Sequence, residues 1–500
     1  MKRKIIISVI IIVLCAALLI SSTAFAGSGY ADLPAPAGAQ NLAVTQYESA
    51  ENAKGVSNAN TYKAVDSDTD TAWRSSAKTD ALILTFKQEQ SFNTIVLREK
   101  GWNIKKFNLS YYVDEPGNEH WEKFYEQDSV NDYRYCAFET VTAKQLKLEI
   151  TESDSIFKIR EFEVYNIAKK ERSDFRVSDY VVTPQLASGE IFDPQSSNYL
   201  SPEYCDVVNQ IHVIASAKWN DRGELVIPDG LTGAELKDSV QRLRNYYGEK
   251  DVEIFATVFF NACDPNIVMT QYKDAVVTNT VDFLLEYGFD GVSYDWEYPN
   301  KEQWDMFSDH IVALKTALSE YDLKISCAVC PWNFYMREDA IQALDQIEIM
   351  SYDLFDENGN HSSFAGGAVQ PVQYFLEKGF RPEQINLGLP FYARPDDGGG
   401  IWINYDDPGY TPSDRFQNYS NGMWFSGTQM TFDKTAYAIE NDLGGMMIFT
   451  ATEDIPYSED NSLLKSLKSA ISSRTTIDDK QEDTRAVSYT HLTLPTTERV

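Results

Sequence analysis

Residues 289–299, FDGVSYDWEYP, contain two carboxyl groups that could act together on a proton. The apolar start, followed by polar or acidic side chains at every second position, predicts the end of a β-strand. Side chains alternate between the two faces of a strand, so Ser293, Asp295 and Glu297 would point the same way. Two carboxyl groups this close cannot both ionise freely, and one is expected to keep its proton near neutral pH. Such a pair could protonate a leaving group, above all a glycosidic oxygen.

Taken alone, two acids at this spacing could equally be an acidic strand end that binds a cation or faces water. The surrounding residues favour the chemical interpretation, because DGVSYDWEYP resembles the fourth-strand signature of family 18 glycoside hydrolases, the chitinase-like family. Three later segments resemble the sixth, seventh and eighth strands of that family, in the same order: QIEIMSYDLF at 346–355, NLGLPFY at 386–392 and GGMMIFT at 444–450. The resemblance extends from about residue 175 to about residue 473.

The resemblance implies a retaining glycosidase in which the N-acetyl carbonyl of the substrate itself attacks the anomeric carbon. Glu297 would be the general acid, and Asp295 would orient the acetamido group and stabilise the oxazolinium intermediate. Tyr352 would hydrogen-bond the acetamido oxygen, and Asp353 would help to bind the distorted sugar. The expected substrates are glycans with β-1,4-linked N-acetylglucosamine, such as chitin or chitooligosaccharides, and catalysis would need no cofactor.

Two residues depart from the family pattern. Ser293 stands where the family usually has the first Asp of its D-x-D-x-E, and Phe449 stands where a Trp usually forms the floor of the sugar site. A Phe ring can still stack on a pyranose, with less area. Two alternatives therefore stay open: an endo-β-N-acetylglucosaminidase acting on N-glycans or peptidoglycan, and a catalytically weak glycan-binding protein. Five aromatic side chains near strand ends are expected to bind substrate: Trp219, Trp332, Tyr392, Trp424 and Phe449.

The elements that must position these residues can be predicted from hydrophobic patterning. Between residues 172 and 473, apolar strands alternate with amphipathic helices, which predicts a (β/α)8 TIM barrel. Chemistry in that fold takes place at the C-terminal ends of the strands, where Glu297 and Tyr352 would lie. The predicted strands are 179–183, 210–216, 252–259, 288–297, 324–329, 346–352, 384–391 and 444–450.

Residues 38–168 predict a separate all-β sandwich, because short alternating runs such as ALILTF and KQLKLEI are separated by turn residues. The segments AVDSDTDTAWRSS at 64–76 and IREFEVY at 159–165 resemble the factor 5/8 type C (discoidin-like) domain, a jelly-roll sandwich. That family commonly holds one structural calcium ion, which implies the oxygen ligands Asp66, Asp68, Thr71 and Glu161. A solvated acidic turn is the alternative.

The two ends of the chain and its charge suggest where the protein works. Residues 1–26 combine a basic start, an apolar run and an A-x-A site, which predicts a cleaved signal peptide and a secreted protein. No later segment is long and apolar enough to span a membrane, and residues 474–500 are expected to be a disordered or artefactual tail. The formal net charge of −31 disfavours nucleic acid and anionic lipid as partners and suits neutral glycans. We expect a monomer.

Overall fold

The computed structural model describes residues 33–476 except 35, 37, 54–59, 261, 357, 358, 362 and 397–399. The predicted signal peptide and residues 477–500 of the predicted tail lie outside the described residues. Within the described part of the chain, no helix combines the length and apolar character needed to cross a membrane.

The N-terminal domain is built on seven antiparallel strands. They are β1 (Tyr47–Asn52), β2 (Trp73–Arg74), β3 (Asp80–Glu99), β4 (Ile104–Val113), β5 (His120–Asp128), β6 (Arg134–Ser153) and β7 (Lys158–Tyr165), and a short helix α1 (Leu42–Thr45) precedes them. Asn41 caps α1 by accepting a hydrogen bond from the backbone N–H of Ala43 at 3.0 Å.

Strands β3 and β6 give this domain its two layers. Each is 20 residues long, and shifts of register interrupt their pairing after Thr85 and after Phe92. The first half of β3 pairs with β1 and with the second half of β6, which continues to β4 and β5. The second half of β3 pairs with the first half of β6 and with β7, which carries β2. The predicted sandwich is confirmed, and Trp73 lies in its core.

The C-terminal domain is a closed barrel of eight parallel strands, which confirms the predicted (β/α)8 fold. In order around the barrel they are β9 (Arg176–Val182), β10 (Gln210–Trp219), β12 (Glu253–Phe259), β13 (Gly291–Asp295), β14 (Lys324–Val329), β15 (Gln346–Ile349), β16 (Ile385–Pro390) and β21 (Gly445–Phe449), which pairs back to β9. The short β11 (Leu225–Val226) pairs antiparallel with the end of β10. Before the barrel, β8 (Lys170–Glu171) pairs with β22 (Thr475–Thr476), which follows the barrel.

One small sheet stands above the barrel, after the seventh barrel strand. It consists of β17 (Tyr392–Pro395), β18 (Ile403–Asn404), β19 (Tyr419–Ser420) and β20 (Met423–Trp424), in the order β18-β17-β20-β19. Its strands are antiparallel, and Arg394 of β17 is paired with Trp424 of β20. The insertion therefore forms a wall beside the C-terminal end of the barrel.

Capping residues mark the ends of several barrel helices. Thr232 and Glu235 form a capping box at the start of α3, Asn300 and Gln303 form another at the start of α6, and Gly288, in a left-handed conformation, ends α5. The helices are α2 (Thr183–Ser188), α3 (Gly233–Tyr247), α4 (Pro265–Gln271), α5 (Lys273–Tyr287), α6 (Lys301–Leu318), α7 (Glu338–Ala343), α8 (Gln370–Glu377), α9 (Thr428–Glu440) and α10 (Leu463–Arg474).

The sandwich packs against α9 of the barrel domain through a buried polar contact. The Arg134 guanidinium donates to Asp433 at 2.6 Å, and both side chains are almost fully buried. Tyr125 also donates to Asp433 at 2.6 Å, and Gln429 donates to the carbonyl of Ala137 at 2.8 Å. Apolar side chains from both domains surround these bonds and form one continuous core, so the two domains share their interior.

Candidate active site

The carboxylate pair lies at the C-terminal end of β13, where the barrel fold places catalytic groups. Asp295 is the last residue of the strand, and Glu297 follows two residues later, on the open side of the barrel. The prediction that the strand continues through Glu297 is therefore wrong. The predicted alternation of faces holds inside the strand: Ser293 is buried within the barrel, while Tyr294 points outwards and hydrogen-bonds His310 at 2.7 Å.

The electrostatics of the pair favour retention of a proton. Burial raises the pKa of Asp295 well above its usual range, and the nearby Glu297 raises it further. Desolvation also raises the pKa of Glu297, while hydrogen bonds with Tyr298 and Asp295 oppose this shift and the charge of Asp353 adds to it. The pKa of Asp295 is thus raised both by burial and by Glu297, whereas Asp295 partly offsets the rise in the pKa of Glu297, so Asp295 is the member of the pair that holds a proton more tightly.

The sixth strand brings Tyr352 and Asp353 to the same end of the barrel, just beyond β15. Asp353 adopts a left-handed backbone conformation with φ of 56°, which is unusual for a residue other than glycine. Both of its carboxylate oxygens accept hydrogen bonds from Arg394, at 2.7 and 2.6 Å. Arg394 thus fixes Asp353 by a two-pronged ion pair. The sequence analysis missed Arg394. Its position two residues after Tyr392, just past the seventh strand, was the one feature that could have marked it as a site residue.

An aromatic cluster lines the barrel floor beside Tyr352. Phe449 lies 6.0 Å from Tyr352, ring centre to ring centre, and 5.8 Å from Trp402. Trp402 stacks on Tyr392 at 3.6 Å, and Tyr392 is buried behind it. Trp402 therefore lies beside Phe449 in the predicted floor of the sugar site. Trp402 is partly exposed and could contact a ligand, whereas the buried Tyr392 could not.

The other predicted substrate-binding aromatic side chains differ in exposure. Trp332 is partly exposed and packs edge-on against Tyr298, with ring centres 4.6 Å apart. Trp424 is also partly exposed and lies on the strand that pairs with Arg394. Trp219 is different: it has no exposed surface and lies in the barrel core, so the expectation that it binds substrate is corrected. Its position at the end of β10 could not reveal whether the indole pointed into the core or towards solvent.

The candidate calcium ligands in the N-terminal domain are partly brought together. Thr71 donates to Asp66 at 3.0 Å, whereas the Asp68 carboxylate accepts from the backbone N–H of Asp70 at 3.1 Å in a local turn. Glu161 is almost fully buried, and its carboxyl group interacts with the Asp66 carboxyl group and with the backbone of Ser67. Burial, then Glu163 and then Asp66, raise the pKa of Glu161 to about 8.

The donor set at this position fits a calcium ion. A buried carboxylate close to a second carboxylate is destabilised without a counter-charge, and Ca²⁺ prefers such oxygen donors. Asp66, Thr71 and Glu161 are the side chains that would hold it. Among the described residues, no three His, Cys, Asp or Glu side chains form a metal-binding group, so further oxygens would come from the backbone or water.

Comparison with known proteins found matches for both the barrel and the sandwich. Residues 257–454 match the family model of the glycosyl hydrolases family 18, and residues 43–162 match that of the F5/8 type C domain. Chitinase B of Serratia marcescens is 23% identical over 276 residues, which cover 43% of this chain and 54% of the relative. An endochitinase of Manduca sexta is 28% identical over 190 residues, covering 30% of this chain and 33% of the relative.

A solved structure, that of the chitinase ChiB from Flavobacterium johnsoniae, superposes with a TM-score of 0.49 at 20% identity and covers 61% of this chain and 94% of that chain. The chain spans about half or less of the length of the two curated relatives. The barrel and its carboxylate pair define a glycosyl hydrolase domain preceded by a β-sandwich. Residues 257–454 are therefore similar to family 18 of the glycosyl hydrolases, and residues 43–162 of the sandwich are similar to the F5/8 type C domain.

Proposed function

We propose that the protein hydrolyses glycans containing β-1,4-linked N-acetylglucosamine, such as chitin or chitooligosaccharides, with Glu297 as general acid. The observation that carries the proposal is the pair of Asp295 and Glu297 at the end of β13, in which both pKa values are raised. The family match supports it, as do two relatives that are named as chitinases. In this scheme Glu297, in its protonated form, donates its proton to the glycosidic oxygen as the bond to the anomeric carbon breaks.

The nucleophile in the proposed reaction is the acetamido carbonyl of the substrate. Asp353 is poorly suited to attack carbon, because Arg394 occupies both of its carboxylate oxygens. Asp295 is hydrogen-bonded to Glu297. Its carboxyl group would act not as a nucleophile but as the group that orients the acetamido nitrogen and stabilises the positive charge that develops. Tyr352 would hold the acetamido oxygen. The product would keep the configuration of the substrate, as in other substrate-assisted glycosidases.

The aromatic side chains suit an uncharged sugar chain. Phe449 and Trp402 form one aromatic pair at this end of the barrel, and Tyr298 and Trp332 form another. Such rings stack on the apolar faces of pyranoses. The net charge of −31 would repel a polyanion and leaves a neutral glycan as the favoured partner. A secreted protein, as the N-terminal sequence predicts, would meet such polymers outside the cell.

The proposal for the N-terminal domain is one structural calcium ion, held by Asp66, Thr71 and Glu161. The burial of Glu161 beside the Asp66 carboxyl group supports this proposal. When bound, the ion would supply the positive charge that lets Glu161 ionise while buried, and it would link the 66–71 turn to β7.

The experiment that tests the enzymatic function compares Glu297→Gln with the wild type on chitooligosaccharides. The amide cannot donate the proton, so hydrolysis should fall by at least about 10²–10⁴-fold while oligosaccharide binding persists. Glu302→Gln, at an exposed position in the first turn of α6, is the matched control and should keep full activity. Near-normal activity of Glu297→Gln would refute the assignment of the acid.

The same assay separates the substrate classes. Wild-type protein is tested on chitooligosaccharides, a high-mannose glycoprotein, peptidoglycan and cellooligosaccharides, with a thiazoline analogue as inhibitor. Cleavage of acetamido sugars alone, with inhibition by the analogue, is the expected result. Efficient cleavage of cellooligosaccharides would contradict the substrate-assisted reaction, and binding without any cleavage would favour a glycan-binding protein.

A further inference from the structure

The end of strand β5 in the sandwich is hydrogen-bonded to the chain that leads into the small sheet above the barrel. The Gln127 side chain donates to the carbonyl of Phe416 at 3.2 Å and accepts from the Asn418 side chain at 2.7 Å. The Asn418 amide also donates to both carboxylate oxygens of Asp128, at 3.1 and 3.2 Å. Gln127 is 1% exposed and Asn418 is 3% exposed. Hydrogen bonds sheltered from water in this way hold their partners in one arrangement.

Asn418 joins the sandwich to two segments of the barrel domain. Its side-chain oxygen accepts from the backbone N–H of Gly427, the residue that precedes α9, at 3.1 Å. Its backbone carbonyl accepts from the N–H of Phe425, which follows β20, at 2.7 Å. A Cβ atom at position 427 would lie only 2.8 Å from the Asn418 side-chain oxygen, so this approach requires glycine. Asn418 therefore fixes the β19–β20 hairpin against both the sandwich and the start of α9.

The β19–β20 hairpin in turn contacts β17 at two points. Strand β19 begins at Tyr419, directly after Asn418, and the Tyr419 phenol donates to the Asp396 carboxylate at 2.8 Å. Trp424 of β20 is the register partner of Arg394 in β17. Because Arg394 donates to both carboxylate oxygens of Asp353, the position of the hairpin bears directly on the candidate active site.

A second contact joins the sandwich to the segment that follows the sixth barrel strand. The Phe364 ring lies nearly parallel to that of Tyr135 in β6, with ring centres 6.3 Å apart, and the Arg134 guanidinium lies 4.9 Å from the same Phe364 ring. Tyr135 and Phe364 are both buried. Asp353 lies near the start of this segment. The sandwich thus contacts both structures that supply the Asp353–Arg394 ion pair.

We propose that Gln127 and Asn418 are positioning residues for glycan hydrolysis, which hold Arg394, through the β19–β20 hairpin, where it fixes Asp353. The catalytic consequence rests on the proposed function. The sandwich would then contribute to the hydrolysis of every substrate, short soluble oligosaccharides included. A domain that served only to attach the enzyme to a polymer would affect hydrolysis of that polymer alone.

The chemistry of position 418 allows this contact to be broken selectively. Asp128 accepts a hydrogen bond from the residue at this position and the N–H of Gly427 donates one to it, and an amide side chain satisfies both. Asn418→Asp keeps the acceptor for Gly427 and the size of the side chain, but it removes the donor. It also places a second carboxylate beside Asp128, and like charges repel. The variant should separate the hairpin from the sandwich.

The first test measures hydrogen–deuterium exchange of the full-length wild type and Asn418→Asp. The amides of residues 392–396 and 419–424 should exchange at least about tenfold faster in the variant, the effect of losing a hydrogen bond to a charged group. Those of the fifth barrel strand, Lys324–Val329, should be unchanged. If Asn418→Asp does not fold, Gln127→Met removes the sandwich side of the contact and takes its place. Unchanged exchange in both segments would overturn the proposal.

The kinetic test uses a soluble chitooligosaccharide. Asn418→Asp and Asn418→Leu should each lower kcat about tenfold and change KM less, because Asp353 would act on the distorted sugar of the transition state. Adding Asp128→Asn to Asn418→Asp should restore activity, since the new amide at position 128 can donate to the new carboxylate at position 418. Asn279→Asp is the matched control: it loses a hydrogen bond of 2.6 Å to the carbonyl of Gly223, away from the hairpin, and should keep full activity.

A double-variant cycle with Arg394→Gln shows whether the effect passes through Arg394. If Asn418 acts only through Arg394, the kcat of the double variant Asn418→Asp with Arg394→Gln should equal that of Arg394→Gln alone. Losses that multiply, or wild-type rates in both Asn418 variants, would overturn the proposal. If the wild type cleaves no acetamido substrate, the proposed function fails, and hydrogen–deuterium exchange still decides whether the sandwich positions Arg394.

Discussion

Asp433→Ala is expected to be among the most destabilising substitutions in the chain. Asp433 has no exposed surface and accepts four hydrogen bonds: from Arg134 at 2.6 Å, Tyr125 at 2.6 Å, the backbone of Ala137 at 2.9 Å and Gln429 at 3.0 Å. Alanine removes every acceptor and leaves a charged guanidinium buried between the two domains.

The magnitude follows from burial. Removing one partner of a buried ion pair typically costs about 3–5 kcal/mol, because the remaining charge is uncompensated. Asp309 offers a contrast, since its carboxylate lies at the same 2.6 Å from Arg337 but is 74% exposed. Exposed pairs contribute less than about 1 kcal/mol. Although the two ion pairs have the same length, Asp433→Ala should lower the free energy of unfolding much more than Asp309→Ala, because only the first pair is buried away from water.

The assay is chemical denaturation of Asp433→Ala, Asp309→Ala and the wild type, followed by far-UV circular dichroism and tryptophan fluorescence. Asp433→Ala should lower the midpoint strongly, and Asp309→Ala should leave it nearly unchanged. The double variant Arg134→Met with Asp433→Leu should recover part of the loss, because it removes both charges and refills the space. Similar losses for the two single variants would refute the reasoning, and so would an Asp433→Ala midpoint equal to that of the wild type.

Three further predictions concern the candidate sites. Arg394→Gln should lower kcat/KM by up to about a hundredfold, because Asp353 loses its anchor and small displacements near a reacting centre are costly; unchanged kinetics would show that the ion pair has no catalytic role. Ser293→Asp adds a negative charge near the pair, which raises the pKa of Glu297, so the alkaline limb of the pH–rate profile should move upward. A chelator should lower the melting temperature of the wild type by removing an ion that binds the folded state. Glu161→Gln should abolish that response, and calcium affinity should rise as pH increases through about 8, where Glu161 loses its proton in the metal-free protein.

Hydrophobic patterning predicted the barrel well, because each strand must be apolar to be buried on both sides. The fifth strand, Lys324–Val329, has the bounds predicted for it. The fourth strand was predicted too long at both ends, since it begins at Gly291 and ends at Asp295. Polar alternation continues past its end, but hydrogen bonding to the neighbouring strands does not.

The parts that sequence could not predict depend on contacts between distant residues. Arg134 and Asp433 are 299 residues apart, and neither has a local signal that identifies its partner. Arg394 binds Asp353 although the two residues are 41 positions apart in the sequence. It does so because it lies on the small sheet, which no repeat or motif in the sequence predicted. Trp219 ends the barrel strand β10 and is buried, whereas Trp402 lies in the insertion after the seventh barrel strand and is partly exposed. Side-chain direction after a strand ends depends on the loop, which patterning does not determine.

Helix α9 determines how separable the two halves of the molecule are. All 13 of its residues are buried, although Gln429, Asp433 and Lys434 among them are polar or charged. Because α9 is buried on every side, it can unfold locally only when its contacts with both the sandwich and the barrel are broken. Its amide hydrogens should therefore exchange with solvent as slowly as those of the barrel strands. A barrel cut free of its sandwich would present this helix to water. The F5/8 type C domain is therefore a part of the barrel's folding unit, and exchanging it for another module would require redesign of α9.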